Sequence, residues 1–431
     1  MSLEENTSHI DLIIEGLSFP TSVTMADDGT LFVAESGLPF AGAPPGGRIW
    51  RLDEQRRRTL VLEDLHPPVN GLTFHNNSLF ISEGGHPARI SRFDLRDDRQ
   101  FVILDQLPGP GNYHTNMVAF GPDGKLYFSQ GAMTNTGIIG LDAFELGWLR
   151  RLPHSHDLPG YDVVLTGVNV ESSNPLNGEV SACTQTGAFV PFGTQTEPNQ
   201  RIPAQLPCTA AILRCNSDGS DLELVSWGLR NAYGIGFLTD GRLLAIDQGA
   251  DDRGSRPVGQ APDLLFEVRK GAWYGWPDFI DGIPVSDVRY QPQRGPSPSF
   301  LLANHAELPM PEKALLSFPP HTAAVKFDVA REGTTGWAGQ IFVALFGDEV
   351  PMTAPSGPKV GRSVVRVDPV DWSLHPFIKG PLRRPIDVRF SQAGEMYILD
   401  FGNFEMEAGG RVKAEAKSGR LWRVQLSDQR N

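Results

Sequence analysis

Apolar and polar residues alternate in short runs along the chain, and tight turns containing Gly or Asn join these runs in pairs. One pair is GLRNAYGIGFLTDGRLLAIDQGADD at 228–252, where a DG turn links two apolar runs and the polar residues lie at the ends away from the turn. Alternation with a period of two predicts half-buried strands, and a DG turn favours a hairpin. The pattern therefore predicts a chain built from β-hairpins.

This hairpin occurs six times, and its copies begin at Phe19, Pro68, His114, Asn231, His321 and Arg384. Most copies are followed by a third strand such as GRIWRL or VVRVDP and a fourth such as RTLVLEDL or HPFIKGPL. A four-stranded sheet cannot bury both faces alone, and radial stacking of several sheets buries them. We predict an all-β fold, a six-bladed β-propeller of four-stranded antiparallel blades.

The two ends of the chain support this prediction. The last apolar strand, GRLWRVQL, reads as a third strand without a fourth, and HIDLIIEGLSFP near the start reads as a fourth strand without a first. Pairing them would complete the sixth blade, close the ring and remove exposed sheet edges. We expect one propeller domain over residues 1–431, with a long loop insertion at about 131–210.

Charge and composition restrict the partners and the compartment. The net charge of −13 disfavours nucleic acid and anionic membranes as partners, and no apolar run approaches the roughly 20 residues of a membrane span. MSLEENTSHIDL shows no export signal. Cys183 and Cys208 flank an irregular loop, and we expect a disulfide between them, which would indicate a periplasmic or secreted protein; two free thiols are the alternative. Cys215, in AILRC, is expected to be buried.

Polar residues gather on one face of the predicted propeller, opposite the DG turns. Five second strands end in a polar residue at one register, namely Glu35, Glu83, Gln130, Asp247 and Asp400. Four long connections open on the same face, at 131–210, 249–262, 347–362 and 402–419. Long loops that converge with polar residues are typical of a binding site, although strand-end carboxylates also accept backbone hydrogen bonds. Both interpretations of the acidic ring stay open.

Several of these segments resemble one family. GLRNAYGIGF, the following IDQGADD and KGAWYGWP resemble segments of the glucose/sorbosone dehydrogenase family. HTNMVAFGPDGKLYFSQG resembles the segment that carries its catalytic histidine, and RRPIDVRFSQAGEMYILDFG resembles its last blade. The resemblance extends from about Phe19 to Val424. It implies a six-bladed propeller that oxidises a small carbohydrate with pyrroloquinoline quinone (PQQ) and calcium.

The resemblance also implies roles for individual residues. His114 would be the general base that takes the proton from the anomeric hydroxyl, and Arg230 would stabilise negative charge on the reduced quinone. The backbone carbonyls of Gly249 and Ala250 would bind calcium, a cation that prefers oxygen ligands. Four further residues would contact the cofactor: Asn231, Gln248, His321 and Arg384.

Two positions depart from the glucose-oxidising members of that family. Phe346 and Ile386 stand where those members carry a lysine and a second arginine. PQQ carries three carboxylates, so the loss of two cations weakens its binding unless other cations replace them. Lys326 and Arg383 are the available replacements, and Lys326 is expected to lie too far along its strand.

Two other functions stay open beside a quinone-dependent dehydrogenase. The first is a calcium-dependent hydrolase similar to a lactonase, with His114 or His321 as base. Its calcium ligands would come from four blades, as Glu35, Asn70, Asn116 and Asp247. The second is a propeller that binds carbohydrate or protein without a cofactor, because a fold alone does not fix function.

Overall fold

The computed structural model describes residues 7–53, 55–177, 182–332, 334, 336–407 and 410–426. These residues form six antiparallel sheets of four strands each, in which strand order follows chain order except in the sixth. The prediction of a six-bladed β-propeller is therefore confirmed. The second strands, such as Leu31–Glu35 and Leu243–Asp247, are short and mostly apolar runs, and they are buried along their whole length because both faces of each sheet are covered.

The blades are given from the innermost strand outward. Blade 1 consists of Pro20–Met25, Leu31–Glu35, Gly47–Leu52 and Arg58–Leu65. Blade 2 consists of Val69–His75, Ser78–Glu83, Ala88–Asp94 and Arg99–Leu107. Blade 3 consists of Thr115–Phe120, Leu126–Gln130, Ala211–Cys215 and Glu223–Trp227. Blade 4 consists of Ala232–Phe237, Leu243–Asp247, Leu264–Glu267 and Leu316–Ser317. Blade 5 consists of Ala324–Val329, Ile341–Leu345, Ser363–Val367 and Leu374–Ile378.

Blade 6 joins the two ends of the chain. It consists of Pro385–Phe390, Met396–Asp400, Gly419–Leu426 and the N-terminal strand Thr7–Leu17. The N-terminal strand pairs antiparallel with Gly419–Leu426, with Ile10 opposite Val424. The pairing expected of the chain ends is thus present, and the long fourth strand covers the outer edge of the blade.

The connections carry further short elements. Helices Leu141–Glu145 and Trp148–Arg151 lie in the segment 131–210, with the antiparallel strand pairs Val163–Val164/Arg201–Ile202 and Asn169–Ser173/Cys183–Gly187. Hairpins Phe279–Ile280/Ile283–Pro284 and Phe404–Met406/Val412–Ala414 lie in later connections. Within the described ranges, 3₁₀ turns span Phe40–Gly42, Val288–Tyr290 and His305–Glu307.

The innermost strands of neighbouring blades approach one another closely around the central channel. A Cβ atom on Gly71 of blade 2 would lie 2.4 Å from the Asn116 carbonyl oxygen of blade 3. A Cβ atom on Gly234 of blade 4 would lie 2.3 Å from the Val325 carbonyl oxygen of blade 5. Both contacts are with backbone, so only glycine allows the blades to pack at this distance.

A buried charged cluster crosses the channel. The Lys326 ammonium of blade 5 donates to the carbonyl oxygens of Thr21 in blade 1, at 2.7 Å, and Asn70 in blade 2. It also lies 4.0 Å from the carboxylate of Asp387 in blade 6. Burial lowers the pKa of Lys326 to about 7, while Asp387 acts in the opposite direction. The lysine therefore joins four blades at the axis.

All three cysteines are free, so the expected Cys183–Cys208 disulfide is wrong. Cys183 is exposed on a hairpin of the 131–210 connection, whereas Cys208 lies in the hydrophobic core with no exposed surface. Cys215 is buried, as predicted. Among the described residues, no helix is long and apolar enough to cross a membrane.

We expect one thiol to react in the folded protein and three in the unfolded protein. Cys208 and Cys215 are fully buried, so a reagent cannot reach them. Burial also raises the pKa of both thiols to about 12, so they are protonated at neutral pH. Titration with a thiol reagent such as dithionitrobenzoate, without reductant and with and without denaturant, measures both numbers. A single reactive thiol in denaturant would contradict the structure.

We also expect Lys326→Met to lower the free energy of unfolding by about 3 kcal/mol. The substitution removes one of the two cations beside the buried Asp387 carboxylate and leaves the Thr21 and Asn70 carbonyl oxygens without this donor. Chemical denaturation measures this change. Lys413→Met removes an exposed ammonium from a surface hairpin and is the matched control. Equal stability of the two variants would contradict a structural role for the channel lysine.

Candidate functional site

Two adjoining cavities lie at the channel mouth where the long connections converge. The polar cavity, of about 210 Å³, is lined among others by Arg230, Gln248, Asp263, His321, Glu349 and Met352. The aromatic cavity, of about 240 Å³, is lined among others by His114, Tyr233, Phe346, Ile386, Phe401 and Phe404. Gln248, Ala323 and Glu349 contribute to both. Residues from distant parts of the sequence thus meet at one opening.

The acidic residues that end the second strands hold backbone. Each carboxylate accepts the N–H of the residue 17 positions earlier, at 2.6–3.1 Å, in the pairs Glu35–Ser18, Glu83–His66, Asp247–Arg230 and Asp400–Arg383. These N–H groups precede the first strand of the same blade, and no strand partner satisfies them. Blade 5 has Leu345 at this register, and there Asp263 accepts the N–H of Ala324 at 2.7 Å. Of the two interpretations of the acidic ring, the structure supports the structural one.

The Arg230 guanidinium is buried and surrounded by protein acceptors. It donates to the carbonyl oxygens of Gln248, at 3.1 Å, and Gly249, at 2.5 Å, and to the Asp251 carboxylate at 2.7 Å. Asn135 accepts two further bonds, and the guanidinium lies 4.2 Å from the centre of the Tyr113 ring. Arg230 is therefore held rigidly, and every one of its side-chain nitrogens already has an acceptor.

The YGWP segment, which resembles a segment of the glucose/sorbosone dehydrogenase family, lies behind this arginine. Trp276 donates its indole N–H to the Asn135 carbonyl oxygen at 3.2 Å, the same oxygen that accepts from Arg230 Nε at 3.1 Å. Trp273 in turn donates to the Trp276 carbonyl oxygen at 3.0 Å. The motif thus fixes the position of Arg230 through Asn135 and does not itself line the aromatic cavity.

Asn231 and Gln248 form an amide chain beside Arg230. Asn231 Nδ2 donates to Gln248 Oε1 at 2.7 Å, and Asn231 Oδ1 accepts from Asn116 of blade 3 at 2.8 Å. Asn116 Oδ1 accepts from Asn70 of blade 2 at 3.2 Å. The chain crosses three blades and presents Gln248 to both cavities.

His114 is mostly buried and keeps part of its surface open to the aromatic cavity. Burial, together with the positive charge of Arg151, lowers its pKa to about 4, so the imidazole is neutral at physiological pH. Among the described residues, no side chain or backbone group hydrogen-bonds to the imidazole. A neutral imidazole with a free nitrogen is a competent general base.

His321 and Arg384 occupy the same rim in different ways. His321 lines the polar cavity from a left-handed backbone conformation, with φ of 67°, and its buried Nε2 has no hydrogen-bond partner among the described residues. Arg384 is 1% exposed and lines neither cavity. Its guanidinium donates to four backbone carbonyl oxygens, including Asp348 at 2.9 Å, and to the Glu405 carboxylate at 2.8 Å.

Sequence reasoning missed four residues that shape the mouth. Phe40, Phe401 and Phe404 pack with ring centroids 5.4–5.5 Å apart and form one wall of the aromatic cavity. Glu349 faces both cavities, and burial raises its pKa against the opposing charge of Arg384. Its position in LFGDE, directly after the predicted second strand, is a signal that could have found it. Nothing in the sequence pattern links Phe40 to this wall.

The residues present fit PQQ and calcium poorly. The Gly249 carbonyl oxygen, an expected calcium ligand, accepts a hydrogen bond from the positively charged Arg230, and a second cation there would be repelled. Arg384 is bonded to protein acceptors and separated from the cavity by the Phe346 ring, whose centre lies 4.9 Å from the guanidinium. Lys326 is bonded inside the channel, as its sequence position predicted. Arg253 also lines the polar cavity, and its guanidinium pairs with the Asp251 carboxylate at 3.2 Å. The carboxylates of PQQ would therefore meet no unpaired cation at these positions.

Three of the four ligands expected for a calcium-dependent hydrolase, Glu35, Asn116 and Asp247, already accept hydrogen bonds within the protein. Asp247 accepts the N–H groups of Arg230 and Asn231 with its two oxygens, and Glu35 accepts from Ser18. Over the described ranges, no group of three His, Cys, Asp or Glu side chains is arranged to hold a metal ion. The donor set at the mouth does not favour that alternative.

Comparisons with known proteins give the fold. Neither a family model nor a curated protein matches the sequence. Solved structures match over nearly the whole chain. The PQQ-bound aldose sugar dehydrogenase of Streptomyces coelicolor is 15% identical with a TM-score of 0.56, covering 99% of this chain and 100% of that chain. A calcium structure of a carbohydrate-active enzyme of Trichoderma reesei is 14% identical with a TM-score of 0.59, covering 99% and 97%.

A third solved structure shows the same similarity. The soluble aldose sugar dehydrogenase of Escherichia coli, in its apo form, is 12% identical with a TM-score of 0.55, covering 96% of this chain and 99% of that chain. At such identities the similarity shows a shared fold, and function has to be argued from the site. The family-like motifs and the solved structures both lead to the six-bladed propeller.

Proposed function

We propose that the protein is a quinone-dependent dehydrogenase that oxidises an aldose or a related hydroxylated aldehyde at the channel mouth. The observation that supports this most is His114, a neutral imidazole without a hydrogen-bond partner among the described residues, facing a cavity large enough for a small molecule. The resemblance to glucose/sorbosone dehydrogenases and the fold shared with aldose dehydrogenases favour oxidation of a sugar over other chemistry at this base.

In this proposal each residue has a stated task. His114 takes the hydroxyl proton while the C–H electron pair leaves as hydride and a C=O bond forms. A quinone, when bound, supplies the hydride acceptor. Gln248, fixed by Asn231, orients the substrate from the shared edge of the two cavities. Arg230 positions the Gln248 and Gly249 backbone, and the aromatic wall excludes water.

PQQ with calcium is the cofactor that the resemblance implies. Because the residues at the mouth fit PQQ poorly, PQQ with calcium is tested beside a second electron acceptor. A periplasmic or secreted location also remains a proposal; it no longer has the support of a disulfide. The assignment of residues 1–431 to one domain is part of the same proposal.

The function is tested by dye-linked oxidation of an aldose panel, with either PQQ and calcium or a carboxylate-free quinone as acceptor. We expect substrate-dependent dye reduction, and we expect His114→Gln to lower it about 100-fold because the base is removed. His86→Gln changes an exposed histidine and is the matched control. Lack of turnover with every acceptor, or unchanged turnover in His114→Gln, would contradict the proposal.

The pH dependence follows from the low pKa of His114. The free protein holds this imidazole neutral above about pH 5, so we expect kcat/KM to be level from about pH 5 to 8 and to fall as the pH drops through about 4. Arg151→Gln removes an exposed positive charge that lowers this pKa and should move the acid limb to higher pH. An acid limb near the ordinary histidine pKa of about 6.5 would contradict this assignment.

A further inference from the structure

The charge of the aromatic cavity differs from what a tricarboxylate requires. Of the side chains that line it, only His114, Tyr233 and Glu349 can ionise, and no lysine or arginine lines it within the described part of the chain. His114 is neutral, and burial raises the pKa of both Tyr233 and Glu349. The cavity therefore carries a charge between zero and minus one at neutral pH.

Lys326 and Arg384 lie beside the aromatic cavity and cannot turn toward it without breaking several bonds. Arg230 and Arg253, which line the adjoining polar cavity, both pair with Asp251. Lys326 lies beneath it, where its ammonium is bonded to the Thr21 and Asn70 carbonyl oxygens and lies 5.4 Å from the Tyr233 ring centre. Arg384 lies behind Phe346, with every side-chain nitrogen on a protein acceptor. A buried carboxylate without a cation or sufficient donors is strongly disfavoured.

The aromatic side chains of this cavity suit an uncharged ring. Phe346 and Phe401 have centroids 5.4 Å apart, and Phe404 lies 5.4 Å from Phe401, so an aromatic ligand has several edges and faces to contact. Ile386 lines the cavity with them. Gln248 and His114 supply polar contacts at one side, which is enough for the oxygens of a neutral quinone.

We infer that the aromatic cavity binds an uncharged aromatic or quinonoid ring and discriminates against PQQ, because Phe346 and Ile386 replace cations with apolar surface. The role of that ring as hydride acceptor rests on the proposed function, whereas the binding preference does not. The two-electron reduction converts the quinone to its hydroquinone, with the hydride from the substrate carbon and one proton from solvent.

Binding without turnover tests the preference. Duroquinone is the neutral probe, because its four methyl groups prevent addition of the exposed Cys183 thiol, and PQQ with or without calcium is the anionic probe. Isothermal titration calorimetry of the full chain should show duroquinone binding at least about tenfold tighter than PQQ. Equal or tighter binding of PQQ, or absence of duroquinone binding, would overturn the inference. Dye reduction is measured in a separate experiment, so the binding comparison can be interpreted even if the proposed catalytic activity is absent.

A charge-restoring variant tests the cause. Phe346→Lys combined with Ile386→Arg should raise PQQ affinity at least about tenfold and weaken duroquinone binding. Val288→Lys combined with Val370→Arg adds the same charges at positions that are 85% and 89% exposed, and should change neither affinity. An equal gain of PQQ affinity in both variants would show a general charge effect and overturn the assignment to this cavity. If the first variant does not fold, the wild-type comparison of the two ligands still tests the preference.

Discussion

Lys326 of blade 5 donates across the central channel to the backbones of blades 1 and 2 and faces Asp387 of blade 6. Asp387 in turn accepts from Ser22 and Val23 of blade 1, each at 3.0 Å. A ring of sheets leaves polar groups of its innermost strands facing an enclosed axis, and these groups need partners. This buried cluster supplies them and joins the last blades to the first.

The rim of the channel follows the same rule with a functional consequence. Arg230 and Arg384 donate to backbone carbonyl groups of loops that no strand partner satisfies. Because their donors are engaged, these arginines shape the mouth without offering it a free hydrogen-bond donor. The neighbouring cavity is left with aromatic surface, a neutral imidazole and the Glu349 carboxyl group. The character of the site therefore results from how backbone polar groups are satisfied around it.

Motifs that signal a family also divide into two kinds in this structure. Trp276 and the acidic strand ends hold backbone in place, so their presence indicates the fold. His114 faces a cavity with an imidazole that no described residue binds, so its presence bears on chemistry. A match to the motifs of an enzyme family therefore supports the fold more strongly than the cofactor.

The sequence by itself determined the six hairpins, their third and fourth strands and the pairing of the chain ends, because strand periodicity and turn residues are local properties. It also placed His114, Arg230 and Gln248 on one face of the propeller, because the ends of the first two strands away from the turn lie on the same face in every blade. Only the tertiary structure determined which donors are engaged, that Cys183 and Cys208 are apart, and that Phe40 joins Phe401 and Phe404. These properties depend on contacts outside any single strand or turn, so a local sequence pattern does not predict them.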